Sequence, residues 1–474
     1  MMRRTVHSII EIPIAEGAKG SSVPILILEN SEISLLCLAW ARDLMISEEN
    51  SPPALYQAIQ GVGLFYDFYI LCEKRRPLSA ENVSWMLSRF LEAREHGNEL
   101  LNWAAVGRKT ARNDVIRISS FSLFCANNFN HFPINTREKM LIKDMSFQDR
   151  ATYYKTLAIR EKWDPLSHLI PTTSIGKGIV NASSFKIRSR SPSRTHIYDF
   201  FPPEKVWALI NATPSTRDKL FFILLFFGAT RESEPLHLFV TDVKVLSNGS
   251  ARVVLADPIE APYNWDDTFL GKRHGTRALF LNERYRLAPR NNLGVTHPLR
   301  SGWKGMEYSA PKRKEAEIDW LVPGVDKLFA HLHKRYMKTI RRYVEDTHPY
   351  YFVNEKDGAD FGKPVKLSNM IKAFYRAAKR VGLEPSDQGV NPHGARHFFG
   401  HFCASYLRLP IETTKIMMRH VSLQSTEVYY SLSMAVVRED LKKAHARISE
   451  ELPQFCAEAQ KALKRESSHD DRAF

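Results

Sequence analysis

Apolar residues recur at helical spacing through the first third of the chain, after an opening stretch that alternates loosely between apolar and polar positions. The alternation predicts a short β-type extension over residues 1–30. The helical spacing predicts four helices at 33–45, 55–73, 81–95 and 111–126, the last capped by Thr110, and a further one around 146–161. Helices without convincing strands indicate a bundle from about 31 to 165.

The pattern changes beyond residue 200. Helices are predicted near 201–212 and at 219–229, followed by a β-hairpin of 243–246 and 252–255 around an Asn248-Gly249 turn. A third strand is predicted at 276–281. Later amphipathic stretches predict helices at 325–345, 367–381, 392–407, 411–418, 423–432 and 451–464. The expected fold class is mainly α with a small antiparallel β-sheet.

A Ser- and Arg-rich segment separates these two regions and has no apolar periodicity. It predicts an exposed linker over 183–200. Its cations Lys186, Arg188 and Arg190 either follow a phosphate backbone or belong to a solvated tether. The predicted organisation is therefore an N-terminal extension (1–30), a helical domain (31–182), the linker (183–200) and a second domain (201–474) that ends with the helix at 451–464.

Charge and composition restrict the partner. The 474 residues include 67 Lys and Arg against 52 Asp and Glu, a net charge of +15, which favours a polyanionic partner, either nucleic acid or an anionic membrane surface. The longest apolar run, 220–229, is shorter than the ~20 residues of a membrane span. The five cysteines are scattered without zinc-ligand or redox spacing. We expect a cytoplasmic protein with no disulfide, no metal and no membrane segment.

Side chains suited to phosphodiester chemistry concentrate near the carboxyl end, in NPHGARHFFGHF (391–402) and MMRHVSLQSTEVYY (417–430). The guanidinium of Arg396 presents a fork of donors that fits two phosphate oxygens. The imidazoles of His393 and His420 donate or move protons near neutral pH. The phenol of Tyr429 can attack phosphorus and form a covalent bond to it. Asn391 as cap and Pro392 in the first turn predict a helix that begins beside His393.

With two further motifs, this order of residues resembles the tyrosine recombinase (phage integrase) family. GATRESEPLHL (228–238) resembles the family's first arginine motif, which implies Arg231 as a catalytic residue and Glu234 as its supporting acid. GKRHGTRALFL (271–281) resembles the hairpin of the catalytic lysine and implies Lys272. The resemblance covers about 200 to 435 strongly and the helical region 31–165 more loosely, as a core-binding domain that clamps DNA.

The resemblance implies an enzyme, a site-specific DNA recombinase or integrase of a mobile genetic element, which cuts and rejoins strands through a 3′-phosphotyrosyl intermediate. It implies no cofactor, double-stranded DNA as partner, a homotetramer on that DNA, and action at the nucleoid in a prokaryotic cytoplasm. Whether accessory proteins take part is left open. Two alternatives remain: a topoisomerase IB-like enzyme that nicks and reseals, and a sequence-specific DNA-binding protein that has lost the reaction.

Several positions allow more than one interpretation. Family spacing from His420 selects Tyr429 over Tyr430, His393 is the expected base or proton relay, and His397 is open to a structural role. Arg419 stands where the family commonly has glycine, so it either adds a phosphate contact or crowds the site. Pro235 requires the local helix to start late or kink. The insertion at 283–322 contacts DNA or a neighbouring subunit, or is a plain surface loop. Candidate DNA contacts outside the linker are Arg108, Lys109, Arg112 and Arg273.

Overall fold

The computed structural model describes residues 5–13, 22–47, 51–77, 80–131, 133–135, 137–141, 179–183, 199–267 and 271–430. The chain divides into two compact units, one of residues 1–192 with 294–297 and one of 193–293 with 298–474. The boundary falls within the segment predicted as a linker. The linker cations Lys186, Arg188 and Arg190, the helix predicted around 146–161 and the helix predicted at 451–464 lie outside the described residues.

Unit 1 begins with the predicted β-type extension, which is an antiparallel hairpin of β1 (Ser8–Pro13) and β2 (Ser22–Ile27). Four predicted helices follow, with ends shifted by a few residues: α1 (Leu35–Ser47), α2 (Pro52–Leu71), α3 (Ala80–His96) and α4 (Arg108–Phe129). Thr110 lies inside α4, whose N-cap is Gly107, so the predicted cap is wrong. A second antiparallel pair of strands, β3 (Arg137–Leu141) and β4 (Ile179–Ser183), was not predicted.

Two apolar clusters hold unit 1 together. One joins β2, α1 and α2 through side chains such as Leu26, Trp40 and Ile59. The other joins α2, α3 and α4 around Phe90, whose ring meets the ring of Phe68 edge to face at 5.6 Å. Buried aromatic side chains of this size supply much of the hydrophobic stabilisation of a helical unit.

Unit 2 is built around a helix that is apolar on every side. Its helices are α5 (Pro203–Asn211), α6 (Thr216–Phe227), α7 (Arg277–Tyr285), α8 (Val325–Thr339), α9 (Leu367–Arg380), α10 (Pro392–His401), α11 (Ile411–Met417) and α12 (Gln424–Glu427). Ser215 caps α6 by accepting a hydrogen bond from Asp218 N at 3.0 Å, and every residue of α6 from Leu220 onward is buried. The ring of Phe226 contacts those of Phe374 on α9 and Phe398 on α10. A helix with no polar face belongs in the centre of a domain.

The described strands of unit 2 form two small antiparallel sheets. The predicted hairpin is present as β5 (Val243–Val245) and β6 (Ala251–Ala256), with Gly249 at a positive φ of 82° in the turn, and β9 (Glu315–Glu317) pairs with the other edge of β6. A separate hairpin joins β7 (Pro262–Asp267) to β8 (Gly271–Thr276). The fold class is therefore mainly α with small antiparallel sheets, as predicted.

The strand predicted at 276–281 is wrong. Thr276 is the N-cap of α7, because its side-chain oxygen accepts a hydrogen bond from Leu279 N at 3.2 Å. Phe280 and Leu281 are buried from the helix rather than from a sheet. A short apolar run such as this one fits a strand and a helix equally well by periodicity, and here the threonine cap decides.

Candidate active site

The turn that follows α6 carries Arg231 and fixes its direction. Gly228 ends the helix and Ala229 has a left-handed backbone with φ of 50°. Glu234 has no exposed surface; it accepts a hydrogen bond from Arg231 N at 2.9 Å and forms an ion pair with the Arg231 guanidinium. Pro235 lies in a short 3-10 turn, Glu234–His237, rather than in a regular α-helix, as its position required. The carboxylate therefore orients both the backbone and the side chain of Arg231.

Helix α10 presents a continuous face of functional side chains. Asn391 caps it by accepting a hydrogen bond from Gly394 N at 2.7 Å, and Pro392 occupies the first turn, as predicted. His393, Arg396, His397 and Gly400 follow at helical spacing, so they share one side. The sequence thus places two imidazoles, one guanidinium and a position without a side chain along a single stripe.

Arg396 is buried and held by backbone carbonyls. Its Nη2 donates to Met418 O at 2.5 Å and its Nη1 donates to Ala229 O. Burial lowers the pKa of Arg396 to about 9, with the carboxylate of Glu234 opposing and Arg231 adding to the shift. Arg231 and Arg396 are therefore close enough for their charges to interact, although one follows α6 and the other lies on α10.

Arg419 is a second buried guanidinium at the same turn. Its Nη2 donates to Gly228 O at 2.7 Å and to Ala229 O at 2.8 Å. Its backbone is left-handed, with φ of 55°, a conformation that glycine adopts without steric cost. The guanidinium ties the end of α11 to the carbonyls just before Arg231; the predicted alternatives, a phosphate contact or crowding, stay predictions.

His420 lies next to Arg419 and is nearly inaccessible. Its Nδ1 is 2.9 Å from Thr426 Oγ1, and the side chain of Thr426 is itself fully buried. Burial, together with the charges of Arg396 and Arg231, lowers the pKa of His420 to about 3. The imidazole is therefore neutral at neutral pH.

The two adjacent tyrosines have different surroundings. The hydroxyl of Tyr429 is 2.9 Å from His397 Nδ1, and its ring lies parallel to that of His420 with centroids 6.3 Å apart. The hydroxyl of Tyr430 instead lies 2.6 Å from Thr414 Oγ1 and donates to Leu409 O at 2.6 Å. Only Tyr429 therefore faces the arginines and histidines, and Tyr430 is held against α11 and the loop before it.

The structure gives the tyrosine contact to His397, where sequence reasoning expected His393. The His393 ring meets the His397 ring edge to face at 4.4 Å. Burial and the charges of His393 and Arg396 lower the pKa of His397 to about 4. The sequence could have pointed to His397 through its position, because it lies four residues after His393, one helical turn further along the same face.

Lys272 lies apart from this cluster in sequence, on β8 opposite Asp266 of β7. Its side chain is exposed, and within the described residues it has no hydrogen-bond or ion-pair partner. The neighbouring Arg273 is engaged, since its guanidinium pairs with Glu283 at 2.9 Å and lies over the ring of Trp265. Lys272 is therefore a cation open to an anion, whereas Arg273 has an internal partner.

The candidate DNA contacts of unit 1 lie in the first turns of α4. Lys109 and Arg112 are exposed, and Arg108 is half-buried with its Nε 3.5 Å from Glu95 Oε1.

Among the described residues, no group of His, Cys, Asp and Glu is arranged to hold a metal ion. In the same part of the chain, no helix combines the length and the apolar character needed to cross a bilayer.

No protein-family model matches the chain, and neither does any curated protein. Among solved structures it is similar to XerA recombinase, at 14% identity over 86% of this chain and 97% of that one, with a TM-score of 0.33. It is similar to the Tn1549 transposon integrase in complex with circular intermediate DNA, at 11% identity over 86% and 99%, with a TM-score of 0.44. It is also similar to a lambda integrase dimer bound to a COC′ core site, at 9% identity over 83% and 94%, with a TM-score of 0.38. Likeness at this level assigns no role to any residue of this chain.

Proposed function

We propose that this protein is a site-specific DNA recombinase, or integrase, of the tyrosine type. One observation carries the proposal: the Tyr429 hydroxyl contacts a neutral imidazole, and the guanidiniums of Arg231, Arg396 and Arg419 lie close enough to one another and to Glu234 for their charges to interact. A phenol with a proton acceptor can act as a nucleophile, and the excess positive charge suits a phosphate.

In the proposed reaction, Tyr429 Oη attacks the scissile phosphorus. The new bond joins Oη to phosphorus and the bond from phosphorus to the 5′ oxygen breaks, which leaves a 3′-phosphotyrosyl link. The phenol proton passes to His397 Nδ1, and Lys272 supplies a proton to the departing 5′ oxygen. A 5′ hydroxyl then reverses these steps and reseals the strand. Because the phosphodiester bond energy is kept in the intermediate, rejoining needs no nucleotide.

The remaining polar groups stabilise charge. Arg231 and Arg396 would bind the non-bridging oxygens as phosphorus becomes pentacoordinate. With the Thr426 hydroxyl donating to His420 Nδ1, the ring proton is on Nε2 and is directed to a phosphate oxygen. A bound phosphate also adds negative charge to the pocket, which raises the pKa of His397 toward its ordinary value and makes it a better proton acceptor.

The biological setting follows from the proposed chemistry and stays part of the proposal. Exchange between two duplexes requires two pairs of active sites, so we infer a homotetramer on double-stranded DNA. Unit 1 would contact the duplex through exposed cations such as Lys109 and Arg112, with Arg108 beside them. We place the protein in a prokaryotic cytoplasm, associated with the nucleoid, as the recombinase of a mobile element.

The test is a nicked suicide substrate built on the recombination core recovered from DNA that flanks the gene. Wild type should become covalently attached to the 3′ phosphate, Tyr429→Phe should form no adduct, and Tyr430→Phe should form it, since its hydroxyl bonds only Thr414 and Leu409 among the described residues. An adduct with Tyr429→Phe would refute the assignment of the nucleophile. Binding of that core by a wild type that never forms the adduct would favour a non-catalytic DNA-binding protein.

A further inference from the structure

The insertion at 283–322 includes a segment, 301–308, that is fastened to the Arg231 side of the site. Ser301 Oγ donates to Ser233 O at 2.9 Å. One residue further, the Gly302 carbonyl lies 3.2 Å from His237 Nε2, and the Trp303 ring meets the His237 ring at 5.2 Å. His237 is buried, and burial lowers its pKa to about 3, so this contact is made by a neutral imidazole. The start of the segment is therefore fixed to the turn that carries Arg231.

The other end of the segment is fastened to the His420 side. Glu307 N donates to Arg419 O at 3.3 Å, and the Glu307 carboxylate pairs with Lys415 on α11. Tyr308 Oη donates to Asp257 at 2.8 Å. Met306, the residue just before these contacts, is buried. A chain held at Ser233 and at Arg419 must pass along the site, since Arg231 and His420 are close neighbours of those two residues.

Lys304 is midway between the two attachments. Its side chain is exposed and has no hydrogen-bond or ion-pair partner among the described residues. Its charge is one of those that lower the pKa of both His393 and His420, after the larger effect of burial. Those histidines lie on different elements, and Lys304 lies on the segment held between Ser233 and Arg419, the residues next to both sides of the site. Its charge acts on the same histidines as those of Arg231 and Arg396, and like charges that share one site favour the binding of an anion there.

We propose that Lys304 is a further catalytic residue, whose ammonium contacts a non-bridging oxygen of the scissile phosphate and offsets the charge that grows in the transition state. This inference rests on the proposed function. It gives the insertion at 283–322 a role in the active site itself. This role differs from the DNA contact and the subunit contact predicted from the sequence. No proton leaves Lys304 in this role, so departure of the 5′ oxygen still depends on Lys272.

The experiment measures single-turnover cleavage of the suicide substrate at saturating DNA for wild type, Lys304→Ala, Lys304→Arg and Lys312→Ala. Lys312 is an exposed lysine of the same insertion, so its variant is the matched control for loss of one surface charge. Lys304→Ala should cleave about 10- to 100-fold more slowly, Lys304→Arg should keep most of the rate, and Lys312→Ala should match wild type. Affinity for the DNA should change by less than about threefold, because one cation among many contributes little to binding.

A second substrate separates charge neutralisation from other roles. With a methylphosphonate at the scissile position the phosphate charge is absent, so the defect of Lys304→Ala should shrink to about threefold or less, while Lys272→Ala stays defective. An equal defect of Lys304→Ala on both substrates would overturn the inference, as would a rate equal to that of Lys312→Ala. A wild type that forms no covalent product would instead overturn the proposed function, and this inference with it.

Discussion

Gly400 gives the sharpest test of where the nucleophile lies. It belongs to α10, one turn beyond Arg396, and the ring of Tyr429 lies directly over it. A Cβ added at Gly400 would lie 2.7 Å from one ring carbon of Tyr429 and 2.8 Å from two others. Carbon atoms in ordinary contact are about 3.5–4.0 Å apart, so in Gly400→Ala the ring must move by roughly 1 Å.

Gly400→Ala should change the cleavage rate strongly and the stability only slightly. Displacing a reacting group by about 1 Å costs on the order of 100-fold in rate. Replacing glycine by alanine inside a helix contributes up to about 1 kcal/mol of stability, which offsets some of the lost packing of Tyr429. We therefore expect cleavage of the suicide substrate to fall about 100-fold while the free energy of unfolding stays within about 1 kcal/mol of wild type.

The assay is cleavage rate and thermal unfolding of the same preparations. Gly107→Ala is the control, because a Cβ at Gly107 meets no atom within 4 Å, and its cleavage rate should equal that of wild type. Wild-type cleavage by Gly400→Ala would refute the placement of Tyr429 over α10. A large drop in unfolding temperature would show instead that the added methyl disturbs the core rather than the tyrosine.

Three further outcomes follow from the same structure. Lys272→Ala should cleave a normal substrate about 100-fold slowly, and a substrate with sulfur at the 5′ bridging position should restore the rate, because a thiolate leaves without a proton. Arg419→Gly should lower the free energy of unfolding by at least about 2 kcal/mol, since relief of the left-handed backbone is outweighed by lost charged hydrogen bonds to Ala229 O and its neighbours; denaturant titration measures this. The pKa of His397 is lowered to about 4 and that of His420 to about 3, against about 6.5 in an unfolded chain. The unfolded state therefore binds more protons below pH 6.5, and the unfolding temperature should fall as the pH is lowered from 7 to 5; an unchanged melting temperature would contradict neutral burial.

Local chemistry made part of the fold predictable. The Asn248-Gly249 pair fixed the hairpin of β5 and β6 because glycine adopts the positive φ that the turn requires. Asn391 and Pro392 fixed the start of α10 in the same way, through a cap and a residue without an N–H. The wrong prediction of a strand occurred where one sequence pattern fits two kinds of secondary structure. The apolar run after Thr276 suits a strand or a helix, and the capping hydroxyl that decides between them has no effect on periodicity.

The site was predictable in its residue types and less so in its contacts. Resemblance supplied Arg231 and Glu234, and the observed ion pair joins those two side chains. The sequence also favoured His393 as the base or proton relay, whereas the hydroxyl of Tyr429 contacts His397. The difference depends on the rotation of α10 and on where the chain returns after α12, and neither is set by local sequence. The same holds for Lys304, whose position depends on attachments more than 60 residues away.

Backbone carbonyls explain how two buried guanidiniums are held at the same turn. Arg396 and Arg419 both donate to the carbonyl of Ala229, so a single left-handed turn partly satisfies two buried guanidiniums before any phosphate arrives. Carbonyl oxygens are weaker partners than a carboxylate would be, and they can share donors with a phosphate oxygen. A site built with one carboxylate per arginine would be more stable when empty and less attractive to an anion. Glu234 instead orients Arg231, while Arg396 and Arg419 bond to backbone carbonyls and keep their positive charge for the proposed phosphodiester substrate.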